Sequence, residues 1–441
     1  MQRKSIIIIT ALFLYAGAVK GQTSNSLGTF TPYSMFGIGE IVRQGTSFNK
    51  SMGGIGTSLR DHRYINYVNP ASITARDSLA FMLDFGIESQ NIYHANSNTK
   101  SAYNAFNMSH FVCTFPLYRK SAAMIGFTPY SHLGYKFEEK EQRPEFLSEL
   151  GDVAYQHYGE GGINQLFLGA AMMISKNFSA GAQGIYYFGT MFRNSNVDFR
   201  TSSSIYSSII TSNNAVLKSF AGKFGLQYVG KADSRSVILA GATFLWPSNL
   251  KGDVKRLATT HLESAIDTLY QSTLYGRQMK IPAEFAVGVS FNRKFLAERD
   301  INKWMIGFDY TYQNWTNTSF APTPGIDFSP TVKSAYKFGF ELTPNYFDPR
   351  YMLKRWTYRG GVYYEQSYMK LNGQQINAMG ITLGVSLPVF RLPNMTTNMI
   401  NFGIDAGQRG SLKEQLVRER YMMFYISISL YDIWFKKMKY E

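Results

Sequence analysis

The stretch from Asn69 to Ser89, NPASITARDSLAFMLDFGIES, changes rhythm midway, and its second half decides the fold. Phe81, Leu83, Phe85 and Ile87 are large and apolar, and Met82, Asp84, Gly86 and Glu88 lie between them. Successive side chains of a strand point to opposite faces. One face here is therefore hydrocarbon, and the other carries two carboxylates. A charge turned to lipid at mid-bilayer costs about 2–4 kcal/mol for Arg or Lys, less for an acid. In a membrane-crossing strand only one orientation is cheap: the apolar residues face lipid, while Asp84 and Glu88 face an enclosed interior.

The same alternation recurs along the chain. Ile306, Phe308, Tyr310 and Tyr312 oppose Gly307, Asp309 and Thr311; Ile400, Phe402 and Ile404 oppose Asn401, Gly403 and Asp405. Ile381, Leu383, Val385 and Leu387 oppose Thr382, Gly384 and Ser386, and the chain closes with Met422, Phe424, Ile426, Ile428 and Leu430 against Ser427 and Ser429. These runs are longer than the five or six residues usual in soluble sheets, and a tilted membrane strand needs about 9–11. A secreted sandwich also alternates, but its polar face lies in water and carries many Lys and Glu. Here that face holds mainly Gly, Ser, Thr, Asn and isolated acids, which suits a crowded barrel interior. Tyr and Trp gather near the ends of runs (Tyr310, Tyr312 and Trp315; Tyr421, Tyr425, Tyr431 and Trp434), as in the aromatic girdles of outer-membrane barrels.

The expectation is an all-β, transmembrane antiparallel β-barrel of about fourteen strands, the first near 79–94 and the last near 419–434. An even number closes the wall and leaves no unpaired edge in lipid. The polar stretches 139–159, 194–215, 252–281 and 317–331 read as external loops. Residues 1–21 read as a secretory signal peptide: Arg3 and Lys4 open it, Ile6 to Ala18 is apolar but too short to span, and Val19-Lys20-Gly21 offers a cleavage site. Its removal lowers the formal net charge from +15 by three, to +12. The barrel then occupies 79–441. Residues 22–78, rich in Gly and poor in alternation, remain as an N-terminal hatch or plug, because a barrel this wide is not filled by its own wall side chains.

The motifs MGGIGTS and INYVNPAS (within Met52–Ser72), KIPAEFAVGVSFN followed by KWMIGFDYTYQNW, and YRGGVYYEQSYMKLNGQQINAMGITLGVSLPV occur in that order. Together they resemble the FadL/TodX family of outer-membrane transporters for hydrophobic compounds, in the form of the FadL-like barrels of Bacteroidota. The resemblance implies a fourteen-stranded barrel with a hatch in its lumen, a greasy ligand held between hatch and wall, and lateral exit through a gap at a kinked strand. Carried over residue by residue, only Asn69, Pro70 and Ala71 match a hatch motif. A short side chain before Pro caps a turn and fixes the chain's entry into the first strand, an architectural role, with ligand contact as the other reading. Pro129 and Pro247 are candidates for the kink, although each also fits a strand end.

Asp84, Glu88, Asp309, Glu341 and Asp405 form the candidate polar network of the lumen, with Arg60, Arg63, Arg76, Lys337 and Arg359 as available partners. Other chemistry is not indicated. The six His are scattered without metal-ligand spacing, no nucleophile elbow or P-loop occurs, and the single Cys113 reads as a small core or lipid-facing residue. No cofactor, metal or enzymatic activity is therefore expected. The basic balance fits anionic lipid headgroups, lipopolysaccharide among them, or an acidic partner, rather than nucleic acid. Two functions remain: passive uptake of hydrophobic small molecules, or a non-transporting accessory barrel in an outer-membrane secretion or barrel-assembly complex.

Overall fold

The computed structural model describes residues 28–77, 79–95, 100–118, 120–200, 207–262, 265–297, 300–320, 327–389, 398–413 and 416–433. The signal-peptide stretch and the tail from Trp434 onward lie outside them. Among the described residues, sixteen strands of ten or more residues make the wall: β1 (Ala80–Ala95), β2 (Lys100–Pro116), β3 (Ser121–Lys140), β4 (Val153–Met173), β5 (Phe178–Phe199), β6 (Ile209–Lys231), β7 (Ser236–Leu245), β8 (Ser248–Leu262), β9 (Ala265–Ile281), β10 (Glu284–Ala297), β11 (Asp300–Asn314), β12 (Val332–Thr343), β13 (Thr357–Leu371), β14 (Gln374–Val389), β15 (Asn398–Arg409) and β16 (Arg418–Ile433), with the short strand Phe328–Pro330 extending the course of β12 beside β13. β7 and β8 form one course broken at Trp246-Pro247, and β9 and β10 another broken at Pro282-Ala283. β6 pairs with β7 along one half and β8 along the other, so the wall has fourteen courses. It is antiparallel throughout, and β16 closes it against β1 from Ile433↔Ala80 to Arg418↔Ala95.

Alternation places the side chains as hydrophobicity dictates. Along β16, Met422, Phe424, Ile426, Ile428 and Leu430 are exposed on the outer face, whereas Tyr421, Tyr425, Ser427 and Ser429 are buried. In β1, Met82, Asp84 and Glu88 are buried and point inward, and Phe85 is exposed on the outside. Two of the stretches read as loops are instead largely strand, and a third is partly so. β5 and β6 run on to Phe199 and from Ile209, β8 and β9 build a tall hairpin over 252–281, and 139–159 holds the ends of β3 and β4 around a short helix, Pro144–Leu150. Polar sequence there misled because these extensions are wetted on both faces, so no apolar stripe marks them.

The segment from Gly28 to Arg76 contains little regular structure and is mostly buried. Ile38, Met52, Ile55 and Leu59 are 0% exposed. It touches inward residues of strands all round the wall, so it lies within the lumen. Several wall glycines make room for it. A Cβ on Gly361 would meet the backbone at Met52-Gly53, one on Gly225 would meet Asn69 and Pro70, and one on Gly134 would meet the backbone of Thr29.

Candidate functional site: the lumen and its seam

Asn69 caps the 3-10 turn Pro70–Ala75: its Oδ1 accepts from the Ala71 amide at 3.0 Å, and Pro70 supplies the fixed φ of the first turn position. Its Nδ2 donates to the Thr57 carbonyl at 2.8 Å and to the Leu226 carbonyl of β6 at 3.1 Å. Asn69, Pro70 and Ala71 thus fasten the last turn of the segment to the wall.

The five acids sit at separate points rather than in one network. Asp309 on β11 accepts from the Gly56 and Thr57 amides at 2.6 and 2.7 Å, so a backbone turn of the segment is its partner. Glu88 on β1 takes Lys50 at 2.6 Å, and Lys50 also donates to Ser109 at 2.8 Å. Asp405 on β15 takes Arg43 at 2.7 Å and the Tyr363 and Tyr425 hydroxyls; Arg43 also stacks 3.5 Å above the Tyr363 ring. Glu341 on β12 gathers Arg359 at 2.9 Å, Lys303 at 3.1 Å and Arg63 at 3.4 Å. Asp61 joins this group through Arg63 and Lys303. Burial pushes the Asp61 carboxyl up, but Arg63 and Lys303 outweigh it and hold the group well below the usual carboxylate range. Asp84 alone does not reach the segment; it bonds His110 of β2 and Ser429 of β16, tying wall to wall.

Of the cations proposed as partners, Arg63 and Arg359 meet an acid. Arg60 instead donates to Thr74 and Ser179, and burial lowers its pKa to about 10. Arg76 donates to the backbone carbonyls of Asp77, Ala80 and Ser121. Lys337 lines an internal space next to Asp309 and Glu365 without an ion pair of 4 Å or less among the described residues. Sequence reading missed Arg43, Lys50, Lys303 and the Glu40–Arg409–Glu419 cluster, in which Arg409 bridges the segment's Glu40 and the wall's Glu419. Period-two spacing could have found Lys303 and Arg409, which share a face with Asp309 and Asp405. No period exists around Arg43 or Lys50.

The wall has a seam. β2 and β3 pair only from Phe111↔Phe127 to Pro116↔Ala122; beyond that, Lys100–His110 and Thr128–Lys140 separate. The separation starts at Pro129, where the β3–β4 register shifts between Pro129 and Ser131. Pro129, rather than Pro247, marks this kink; Pro247 only divides β7 from β8. The segment fills the seam. Thr31 donates to the Gly134 carbonyl at 2.8 Å, Val42 to the Tyr130 carbonyl at 2.9 Å, and Glu40–Ile41 pairs with His132 and Ser131. On the other side, Asn107 bonds the Gly28 carbonyl and Tyr103 stacks on Phe30 with ring centroids 3.6 Å apart. Two internal spaces beside the segment measure about 80 and 90 Å³ and share Arg43, Lys333 and Glu365 in their lining. Each has room for several waters, since one water needs about 10–15 Å³ of such space.

The BamG family model matches residues 1–441. The chain belongs to the BamG family. Solved structures similar to the chain are a FadL homologue of Pseudomonas aeruginosa (TM-score 0.56, 12% identity, 89% of this chain and 99% of that one), the toluene transporter TbuX of Ralstonia pickettii (0.54, 15%, 87% and 97%) and the toluene transporter TodX of Pseudomonas putida (0.53, 14%, 89% and 99%). At such identities the likeness is one of fold, that of a bacterial outer-membrane barrel. No curated protein sequence matches the chain significantly.

Proposed function

We propose that this barrel is a non-transporting accessory subunit of an outer-membrane barrel-assembly complex, with residues 28–76 as a fixed hatch that keeps the wall sealed and rigid. One observation carries the reading: the segment is fastened by buried ion pairs to four wall positions, Glu88, Glu341, Asp405 and Arg409. Removing one partner of a buried pair costs about 3–5 kcal/mol. An apolar ligand gains about 25 cal/mol per Å² of surface taken from water, so a small hydrocarbon cannot offset several broken pairs. The internal spaces beside the hatch are charged as well, and a greasy molecule gains little from them. Membership of a barrel-assembly family supports the same role.

A second reading, passive passage of hydrophobic compounds, is favoured by the unzipped β2–β3 seam and by the fold shared with the toluene transporters. Gentle purification from native membranes separates the two. Stoichiometric co-purification of other outer-membrane subunits supports the accessory role. A lone barrel that takes up a hydrophobic probe, such as toluene, into its lumen overturns it.

A further inference from the structure

The outer face of the wall carries a membrane ruler. On β6, exposed Phe220, Phe224, Leu226 and Tyr228 are followed by exposed Lys218, with Val216 the last exposed apolar residue beyond it; on β16, the exposed run Leu430 to Met422 ends at exposed Arg420. Both cations stand toward the same end of the barrel, so each marks one headgroup level. At that end β6 runs nine residues further, Ile209 to Leu217, about 30 Å of strand, and connections such as 141–152 leave the wall. Bacterial barrels place such long excursions outside the cell. Arg420 therefore lies at the outer-leaflet boundary.

Directly beside Arg420 the wall is hollowed on its outer face. Ala406 sits between two large Cα partners, Ile381 and Met422, and Gly380 pairs with Gly407 in the floor. The hollow is a groove of about 780 Å³, flanked by Phe338, Val362, Tyr364, Met379 and Ile381, with Gln408 and Arg420 at its outer end. Ligand pockets fall in the range of about 300–1,000 Å³. Arg420 makes no ion pair among the described residues. Its Cα partners are Gln408 and Tyr93, neither of them acidic. An exposed, unpaired guanidinium at headgroup depth, above an apolar trough, matches a ligand with a phosphate at one end and hydrocarbon at the other.

We propose that this groove seats acyl chains of a phosphorylated outer-leaflet glycolipid, with Arg420 on its phosphate. The inference is independent of what the lumen does. The test is native mass spectrometry of the full-length barrel, released from nanodiscs of defined mixtures of phospholipid and lipid A. Wild type should retain one lipid A and favour it over its dephosphorylated form by roughly tenfold. Arg420→Gln should erase that preference, and Ala406→Trp, which fills the trough, should abolish retention while Lys218→Gln leaves it unchanged. Heat-modifiable migration reports folding of each variant. Equal retention by wild type and Ala406→Trp, or equal retention of phospholipid and lipid A by wild type, overturns the proposal.

Discussion

Asp309 shows how a single residue ties a loop to a wall. Its carboxylate is the acceptor for two backbone amides of the turn at Gly56-Thr57. With Leu in its place both amides are left buried without a partner, at about 1–3 kcal/mol each. In Asp309→Leu, hydrogen exchange at Gly56 and Thr57 should accelerate about tenfold or more while the barrel stays heat-modifiable; Asp309→Asn, which keeps one acceptor oxygen, should change exchange less. Unaltered protection in Asp309→Leu would show that the bond does not hold the turn. Asp61 gives the pH counterpart. Its folded-state pKa is depressed, so its contribution is fully present above the unfolded value of about 3.9 and fades only as pH falls through the lower folded value. Exchange around Arg60–Tyr64 should be flat from pH 7 to 5 after correction for intrinsic rates, and rise below about pH 4. A rise near pH 6 would show that another group controls this anchor.

At the scale of elements, the wall and the segment fit through glycine. Gly361 lies where β13 meets the turn Met52-Gly53-Gly54, whose two glycines have φ of 67° and 84°, a region that other residues rarely adopt. Gly361→Ala pushes a methyl into that backbone, and overpacking of this kind costs about 1–3 kcal/mol. The expected outcome is a lower melting temperature of the segment, read by exchange at 50–56, with the β13–β14 ladder unchanged. Equal loosening of the wall would show that glycine serves the strand itself. The seam follows the same logic. β3 leaves β2 at the Pro129 bulge, and the backbone groups it frees are taken up by Thr31, Glu40–Ile41 and Val42, because an unpaired strand edge in lipid would cost several kcal/mol per group.

For the whole molecule, sealing depends on the segment being present in the seam. A variant lacking the first part of it, residues 28–34, should still close its wall through β1–β16 pairing. It should also leave a side opening between β2 and β3, measurable as greater sensitivity of cells to bulky antibiotics that the outer membrane normally excludes. Unchanged sensitivity, with the variant present and folded, would show that something else covers the opening.

Much of this could be read along the chain. The fourteen courses, the outward Met422–Leu430 stripe and the inward acids of β1, β11, β12 and β15 follow from a period of two and from the cost of a charge in lipid. The cap at Asn69 also followed, because Asx-Pro turns are local. The tall β8–β9 hairpin did not, since strands wetted on both faces carry no apolar rhythm. Nor did the partners of the acids: Lys50 and Glu88 are 38 positions apart, Arg43 and Asp405 are 362 apart, and no periodicity runs through the segment that supplies the cations. Alternation along the chain is enough to specify a closed wall with lipid outside and polar groups within. What fills that wall, and where it is unzipped, is visible only once the chain is folded, because those contacts join a segment without repeat to residues scattered around a ring.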